Sequence, residues 1–356
     1  MAVSYLAGNR ATGTSSDRTG LTTYSAKSWV ELGRTTLSSS STTIDVNNLS
    51  TADYPYLKII FSGTKSGGND VVFRLNNNQG GNYAYREIYN GSSSENPATG
   101  QNQARFFGGS NSVPMFWIGS LSNNATHEKL IIGHGVHSTG NGVGSINHTR
   151  SECFIKWANT SDNVESVNVF NLTSGNFDSG AEVIVLGSKS SGTNTDKAGF
   201  WQELADVELS SVSEIDSGAI TSKKYLWIEF SGVGSSGSSY PRLRFNSDDQ
   251  NNFCYRQSID GVADNEQLSQ NHMNTTGNVG AFNHFFTAFV VNDSSKEKLA
   301  IIQGVDSNTS GQGNAPRRRE VTGKWSNTSN AITSVQVLDL GSNNFTSARL
   351  KVWGAD

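Results

Sequence analysis

The side chains able to do chemistry are few and scattered. The histidines are His127, His134, His137, His148, His272 and His284. His134 and His137 fall on an expected strand, where side chains three apart point to opposite faces, so they cannot share a metal without a bulge. Asp248-Asp249 offers oxygen ligands for calcium, but the matching stretch Asn76 to Asn82 is uncharged, which favours a hairpin loop over an ion site. Arg317-Arg318-Arg319 is the one basic run and could hold phosphate, sulfate or an acidic protein surface. A solvated strand entrance, or partners within an oligomer interface, is the expected role. Cys153 and Cys254 have neither zinc nor CxxC spacing and read as unpaired thiols. The chain has no nucleophile elbow, H-E-x-x-H, phosphate loop or dinucleotide fingerprint. No catalytic residue, metal or cofactor is therefore assigned, and the chain is expected not to be an enzyme.

Contact chemistry is better represented. Two long stretches rich in Ser, Asn and Gln, Asn90 to Val113 and Asp260 to Gly280, precede the aromatic pairs Phe116-Trp117 and Phe285-Phe286. Loops at one end of a sandwich are frequent binding sites. Phe116, Trp117 and Trp227, with Arg317, Arg318 and Arg319, are the candidates for touching a glycan or a protein partner.

The framework holding these residues is a duplicated one. The chain has 356 residues, a length that suits two domains. It is rich in Gly, with 37, and poor in Pro, with 5, and only 16% of its residues are charged. A net charge of −4 gives no general attraction to nucleic acid or anionic lipid. No apolar run is long enough to span a membrane, and the first residues lack the basic start and apolar stretch of a signal peptide.

Blocks recur in fixed order. Trp29-Val30-Glu31-Leu32 returns as Trp201-Gln202-Glu203-Leu204, and Tyr56-Leu57-Lys58-Ile59 as Tyr225-Leu226-Trp227-Ile228. Arg74-Leu75-Asn76 returns as Arg244-Phe245-Asn246, Glu128-Lys129-Leu130 as Glu297-Lys298-Leu299, and Lys156-Trp157 as Lys324-Trp325. His134 corresponds to Gln303. The repeat is far too long for a solenoid or propeller blade. The reading is an N-terminal arm (1–28), a first unit (29–187), a linker (188–200) and a second unit (201–356).

Within each unit the periodicity is two. Leu57, Ile59 and Phe61 alternate with Tyr56, Lys58 and Ile60, and Leu130 and Ile132 with Lys129 and Ile131. Turn clusters such as Asn90-Gly91 and Asp260-Gly261 separate the strands. Roughly eight short strands per unit without helical interludes give an all-β chain of two antiparallel, jelly-roll-like sandwiches. Trp29, Trp157, Trp201 and Trp325 are the expected core and turn anchors.

The opening Tyr5-Leu6-Ala7-Gly8-Asn9-Arg10, with Gly13 and Asp17-Arg18, resembles the openings of uncharacterised structural proteins of marine tailed viruses. The block from Trp29 to Leu37, Phe73-Arg74-Leu75-Asn76, Glu128-Lys129-Leu130 and Lys156-Trp157-Ala158-Asn159-Thr160-Ser161 resembles a domain of the same group. In the second unit Gly33-Arg34 becomes Ala205-Asp206, a departure from the pattern. The resemblance implies a virion surface component, foremost a capsid decoration or spike protein. A tail fibre or receptor-binding protein contacting host glycans is an alternative, as is a double jelly-roll shell protein. The duplication, the polar loops at one end and the unmatched arm suggest a homo-oligomer, with a trimer favoured, whose arm meets other virion proteins. From other classes, a carbohydrate-binding module and a glycan-degrading enzyme remain open, the latter needing two carboxylates in a cleft.

Overall fold

The computed structural model describes residues 4–6, 10–12, 29–67, 70–90, 92, 95–107, 114–138, 148–188, 201–235, 240–277, 280–339 and 344–356. Strands β1 (Ser4–Leu6) and β2 (Arg10–Thr12) pair with each other in a two-stranded sheet. The rest of the N-terminal arm, and the linker beyond Ser188, lie outside the described residues.

The first unit runs β3 (Trp29–Thr36), β4 (Thr43–Val46), β5 (Tyr56–Thr64), β6 (Val71–Leu75), β7 (Tyr83–Tyr89) and β8 (Asn96–Gln101). It continues with β9 (Ala104–Phe107), β10 (Pro114–Ser122), β11 (Lys129–Ser138), β12 (His148–Trp157), β13 (Val167–Asn171) and β14 (Glu182–Ser188). The second unit begins β15 (Gln202–Leu209), β16 (Glu214–Asp216), β17 (Tyr225–Gly234), β18 (Pro241–Phe245), β19 (Phe253–Ile259) and β20 (Asn265–Gln270). It ends β21 (Met273–Asn274), β22 (Asn283–Val291), β23 (Lys298–Asp306), β24 (Arg317–Trp325), β25 (Val335–Asp339) and β26 (Phe345–Ala355).

Each unit is an antiparallel sandwich of eight strands over four. The large sheets run β3-β14-β5-β10-β11-β12-β7-β8 and β15-β26-β17-β22-β23-β24-β19-β20. The small sheets run β4-β13-β6-β9 and β16-β25-β18-β21. The two orders are identical position for position, so the repeat in sequence is a repeat in topology. Among the described residues the strands number twelve per unit rather than roughly eight. The difference includes β8, β9, β20 and β21, which lie inside the two stretches read from sequence as loops. Strand β20, Asn-Glu-Gln-Leu-Ser-Gln, is an edge strand without a buried residue, so it leaves no apolar alternation to detect.

Leu57, Ile59 and Phe61 point inward, as the alternation requires, and meet Phe73, Phe106 and Trp117 in the first core. Trp157 stacks on Tyr83, with ring centroids 6.3 Å apart, and Trp325 on Phe253, at 6.2 Å. Both anchor their cores as expected. Trp117 is also fully buried. Its indole lies over Gly119 and Gly133, where a Cβ would come within 2.1 and 2.3 Å of the ring. In the second unit the smaller Phe286 replaces Trp117, and Ala288 and Ile302 occupy the places of those glycines. The volume is redistributed within one fold.

The same turn also recurs. Asn76 and Asn246 sit in the left-handed region at φ 52° and 53°. Their side-chain oxygens accept from the backbone of Glu165 and Ser166, and of Thr333 and Ser334. Asparagine tolerates that φ and supplies the bond.

The alternation in β11 has a different outcome from the expected half-buried strand. Ile131 enters the sandwich core, while Leu130 and Ile132 point out of it and are still buried. They meet the other unit. The outer faces of the two large sheets pack against each other, which makes a four-layer body with the large sheets inside.

Candidate functional site

The seam between the large sheets holds a cluster of buried charged side chains, among them Lys58, Glu152, Glu229 and Lys351. Its apolar centre joins Tyr56, Ile88, Leu130, Ile132 and Phe154 of the first unit to Trp227, Phe285, Val305 and Trp353 of the second. Trp29 stacks on Trp227 and Trp353 at 5.9 and 6.0 Å. Trp201 meets Trp227 edge-on at 5.8 Å. Trp29 and Trp201 are thus seam residues on the first strands of their units, and not core anchors as expected from sequence.

Charges are threaded through this apolar layer. The Lys58 ammonium lies 3.0 Å from the ring centroid of Trp227 and 4.5 Å from that of Trp29. Beside it, Glu229 is fully buried. Burial pushes the Glu229 carboxyl up to about 7, with Lys58 and then Lys351 opposing. Burial draws the Lys58 ammonium down to about 7, with Glu229 opposing. Lys351, also fully buried, pairs with Glu203 at 3.1 Å and donates to Ser188 at 2.8 Å.

At mid-seam, equivalent residues meet. His134 Nε2 lies 2.8 Å from Gln303 Oε1. Glu152 faces its counterpart Glu320, and its carboxyl is raised to about 7, by burial first and by Glu320 second. Strands β11 and β12 therefore cross β23 and β24 at corresponding points. Beyond that line the contact lies on one side only. The Lys156 ammonium donates to Ser307 O and Thr309 O at 2.6 and 2.7 Å, and Tyr56 stacks on Phe285 at 6.0 Å.

The positions that the repeat pairs with these residues stay open. Leu299 and Ile301 are 58% and 60% exposed, against 0% and 3% for Leu130 and Ile132. Phe116 and Val136 are 46% and 42% exposed, while Phe285 and Val305 are buried. Twisted sheets packed face to face separate toward their corners, which permits such one-sided contact.

A polar cleft of about 330 Å³ opens at the closed side of the seam. Asn123, His127, Glu128, Glu208, Ser231 and Arg349 are among its lining residues, contributed by both units. His127 Nε2 lies 3.3 Å from Ser347 Oγ, and Glu128 accepts from Gly311 N at 2.6 Å. Clefts between domains are common ligand sites, and this one offers hydrogen bonds rather than an apolar wall. Nothing in the sequence pointed to it, because its residues come from five separate strands and the loops between strands.

The sequence candidates divide clearly. Phe116 is exposed and available for contact. Trp117 is not, since its ring fills the first core and its Nε1 donates to Cys153 Sγ at 3.2 Å. Trp227 is covered by Lys58 and the other tryptophans. Two of the three arginines in the run are held in ion pairs. Arg317 pairs with Asp260 at 2.7 Å. Arg318 bridges Glu95 at 2.6 Å and Glu320 at 2.5 Å over the ring of Phe154. Arg319 is buried beside Tyr240. Alternation explains the split, because it sends Arg318 to the seam and Arg319 to the sandwich interior.

His134 faces the seam, while His137 packs edge-on to Phe107 in the first unit, so they point apart as expected. Asp248 accepts from Trp325 Nε1 at 2.6 Å, Asn252 Nδ2 at 2.9 Å and Gln250 N at 3.0 Å, a hairpin role. Both cysteines are free thiols, Cys153 buried and Cys254 half-buried. Among the described residues no group of three or more His, Cys, Asp or Glu could hold a metal, and no helix is long and apolar enough to cross a membrane.

No protein-family model and no curated protein matches the chain. Among solved structures, mouse laminin alpha1 chain domains LG4-5 align over 94% of this chain and 92% of that one, at 9% identity and a TM-score of 0.20. A fructosyltransferase from A. japonicus aligns over 68% of this chain and 40% of that one, at 8% identity and a TM-score of 0.24. Neither likeness is close enough to carry an argument about function.

Proposed function

We propose that the protein is a structural component of a virion surface, a capsid decoration or spike protein that works as a homo-oligomer. The observation that carries this reading is the seam. Two copies of one sandwich are locked large sheet to large sheet by aromatic rings and buried ion pairs, leaving little freedom between them. A rigid paired block suits a load-bearing part better than a hinged enzyme. The sequence resemblance to structural proteins of marine tailed viruses supports the same reading, and the polar, nearly neutral surface suits a particle exterior.

A glycan-contacting role is the second reading, favoured by the polar cleft at Asn123, His127 and Arg349. It fits a tail fibre or receptor-binding protein, and equally a carbohydrate-binding module.

Electron microscopy of intact particles carrying the chain tests the proposal. Density for two stacked sandwiches repeated over the capsid lattice is the expected result. Density confined to the tail tip moves the assignment to receptor binding, and particles lacking such density contradict a virion role.

A further inference from the structure

The outer face of the second large sheet carries an apolar patch. Phe289 and Val291 on β22 stand opposite Ile301 and Leu299 on β23. Their exposures are 47%, 42%, 60% and 58%. Leu268, on the edge strand β20, adds a side chain that is 66% exposed. The ion pairs Arg256–Glu266 and Lys324–Glu297 border the patch. An apolar centre with a polar rim is the anatomy of a protein interface.

We propose that this face docks a second copy of the chain, against the outer face of that copy's first unit around Phe116 and Val136. The chain already contains the contact in question. Leu130 and Ile132, the counterparts of Leu299 and Ile301, are buried in the seam together with Phe285 and Val305 of the other unit. The counterparts of those two residues are Phe116 and Val136, and both are exposed. Each chain thus uses one half of the contact in each unit and leaves the matching halves open. The open patch also runs into the existing seam, for Phe289 lies 4.9 Å from the ring of Trp227 and 6.2 Å from that of Trp201.

A contact between two different surfaces propagates, and it closes into a ring or continues as a filament according to its angle. The inference rests on the oligomeric part of the proposed function and not on the particle, so the two can fail separately.

The test is the mass of the full chain in solution, by light scattering and sedimentation across the micromolar range. The expected species exceeds the single-chain mass of 38.2 kDa. Ile301→Glu and Val136→Glu each weaken association by roughly tenfold or more. Both sites are exposed, so circular dichroism and thermal melting should match the parent chain. Mixing the two variants restores one contact and gives a dimer that goes no further, because each supplies the face the other lacks. A single-chain mass at every concentration overturns the inference. So does association that survives both substitutions, or that is lost with Ile301→Glu and kept with Val136→Glu. Absence of the protein from particles overturns the virion role and leaves this contact standing.

Discussion

The two units share a topology strand for strand, yet the same positions meet opposite fates. Leu130 and Ile132 are buried, and Leu299 and Ile301 face solvent. Tyr56 is fully buried, and Tyr225 is 36% exposed. The fold cannot cause this difference, because the fold is common to both. It comes from which half of each outer face the seam covers. Apolar character is retained in the second unit without intramolecular burial, which is what a surface kept for a partner looks like. Inside the cores, by contrast, the units differ in residue and keep the same strand register, as Trp117 over Gly119 and Gly133 and Phe286 beside Ala288 and Ile302 do.

The comparison is sharpened most by removing matched core anchors. Trp157→Ala and Trp325→Ala should each cost about 3–5 kcal/mol. Denaturant unfolding should show each loss in the transition of its own unit. Trp325→Ala also removes the donor to Asp248, so the second unit is expected to lose slightly more.

Next in size is the seam charge. Lys58→Met leaves Glu229 buried with a weaker counter-charge, and should destabilise the chain by about 3 kcal/mol. Adding Glu229→Gln should recover most of that loss, because a buried pair replaced as a whole is nearly neutral. Chemical denaturation of the single and double variants measures the recovery. An additive result would mean that the two groups do not interact.

The matched surface pair separates seam from solvent. Leu130→Ala should cost about 2–4 kcal/mol. Leu299→Ala should change single-chain stability by no more than about 0.5 kcal/mol. Equal effects on thermal melting at low protein concentration would break the comparison.

The smallest effect expected is a pH dependence at mid-seam. The Glu152 carboxyl is raised from its ordinary 4.5 to about 7, so the folded chain holds a proton there that the unfolded chain sheds. The stability it contributes is complete below about pH 4.5 and is lost as pH rises through about 7. Glu152→Gln mimics the protonated form. It should match the parent chain near pH 4.5 and exceed it by about 1 kcal/mol at pH 8, by denaturation midpoints at the two values. The buried His284, lowered to about 3, acts in the other direction at acid pH. The difference between variant and parent is therefore the quantity to follow.

Much of the framework was legible in the sequence because it is local. Alternation placed Leu57, Ile59 and Phe61 in the first core, and matched blocks placed Trp157 and Trp325 at equivalent core sites. The edge strands β8 and β20 were not legible, since a solvated strand of Asn, Gln and Ser has no apolar period. The seam was not legible either, although it left a trace. Leu130, Ile131 and Ile132 are apolar on both faces, the mark of a strand buried on both sides. A charge at Lys58 or Glu229 inside an apolar alternation reads as an exposed face unless the second sheet is known to cover it. Trp117 and Arg318 were misplaced as contact residues for one reason: residue type suggested exposure, and strand register decided burial.

The most direct measurement compares thiol labelling at the matched positions Ile132→Cys and Ile301→Cys, each in a Cys254→Ser background at low protein concentration. Cys153 is fully buried and serves as the internal unreactive thiol. The stacked-sheet arrangement predicts rapid labelling at position 301 and strong protection at position 132, with position 301 becoming protected as concentration rises. Equal labelling at the two positions would contradict it, because the two units would then present the same face to solvent.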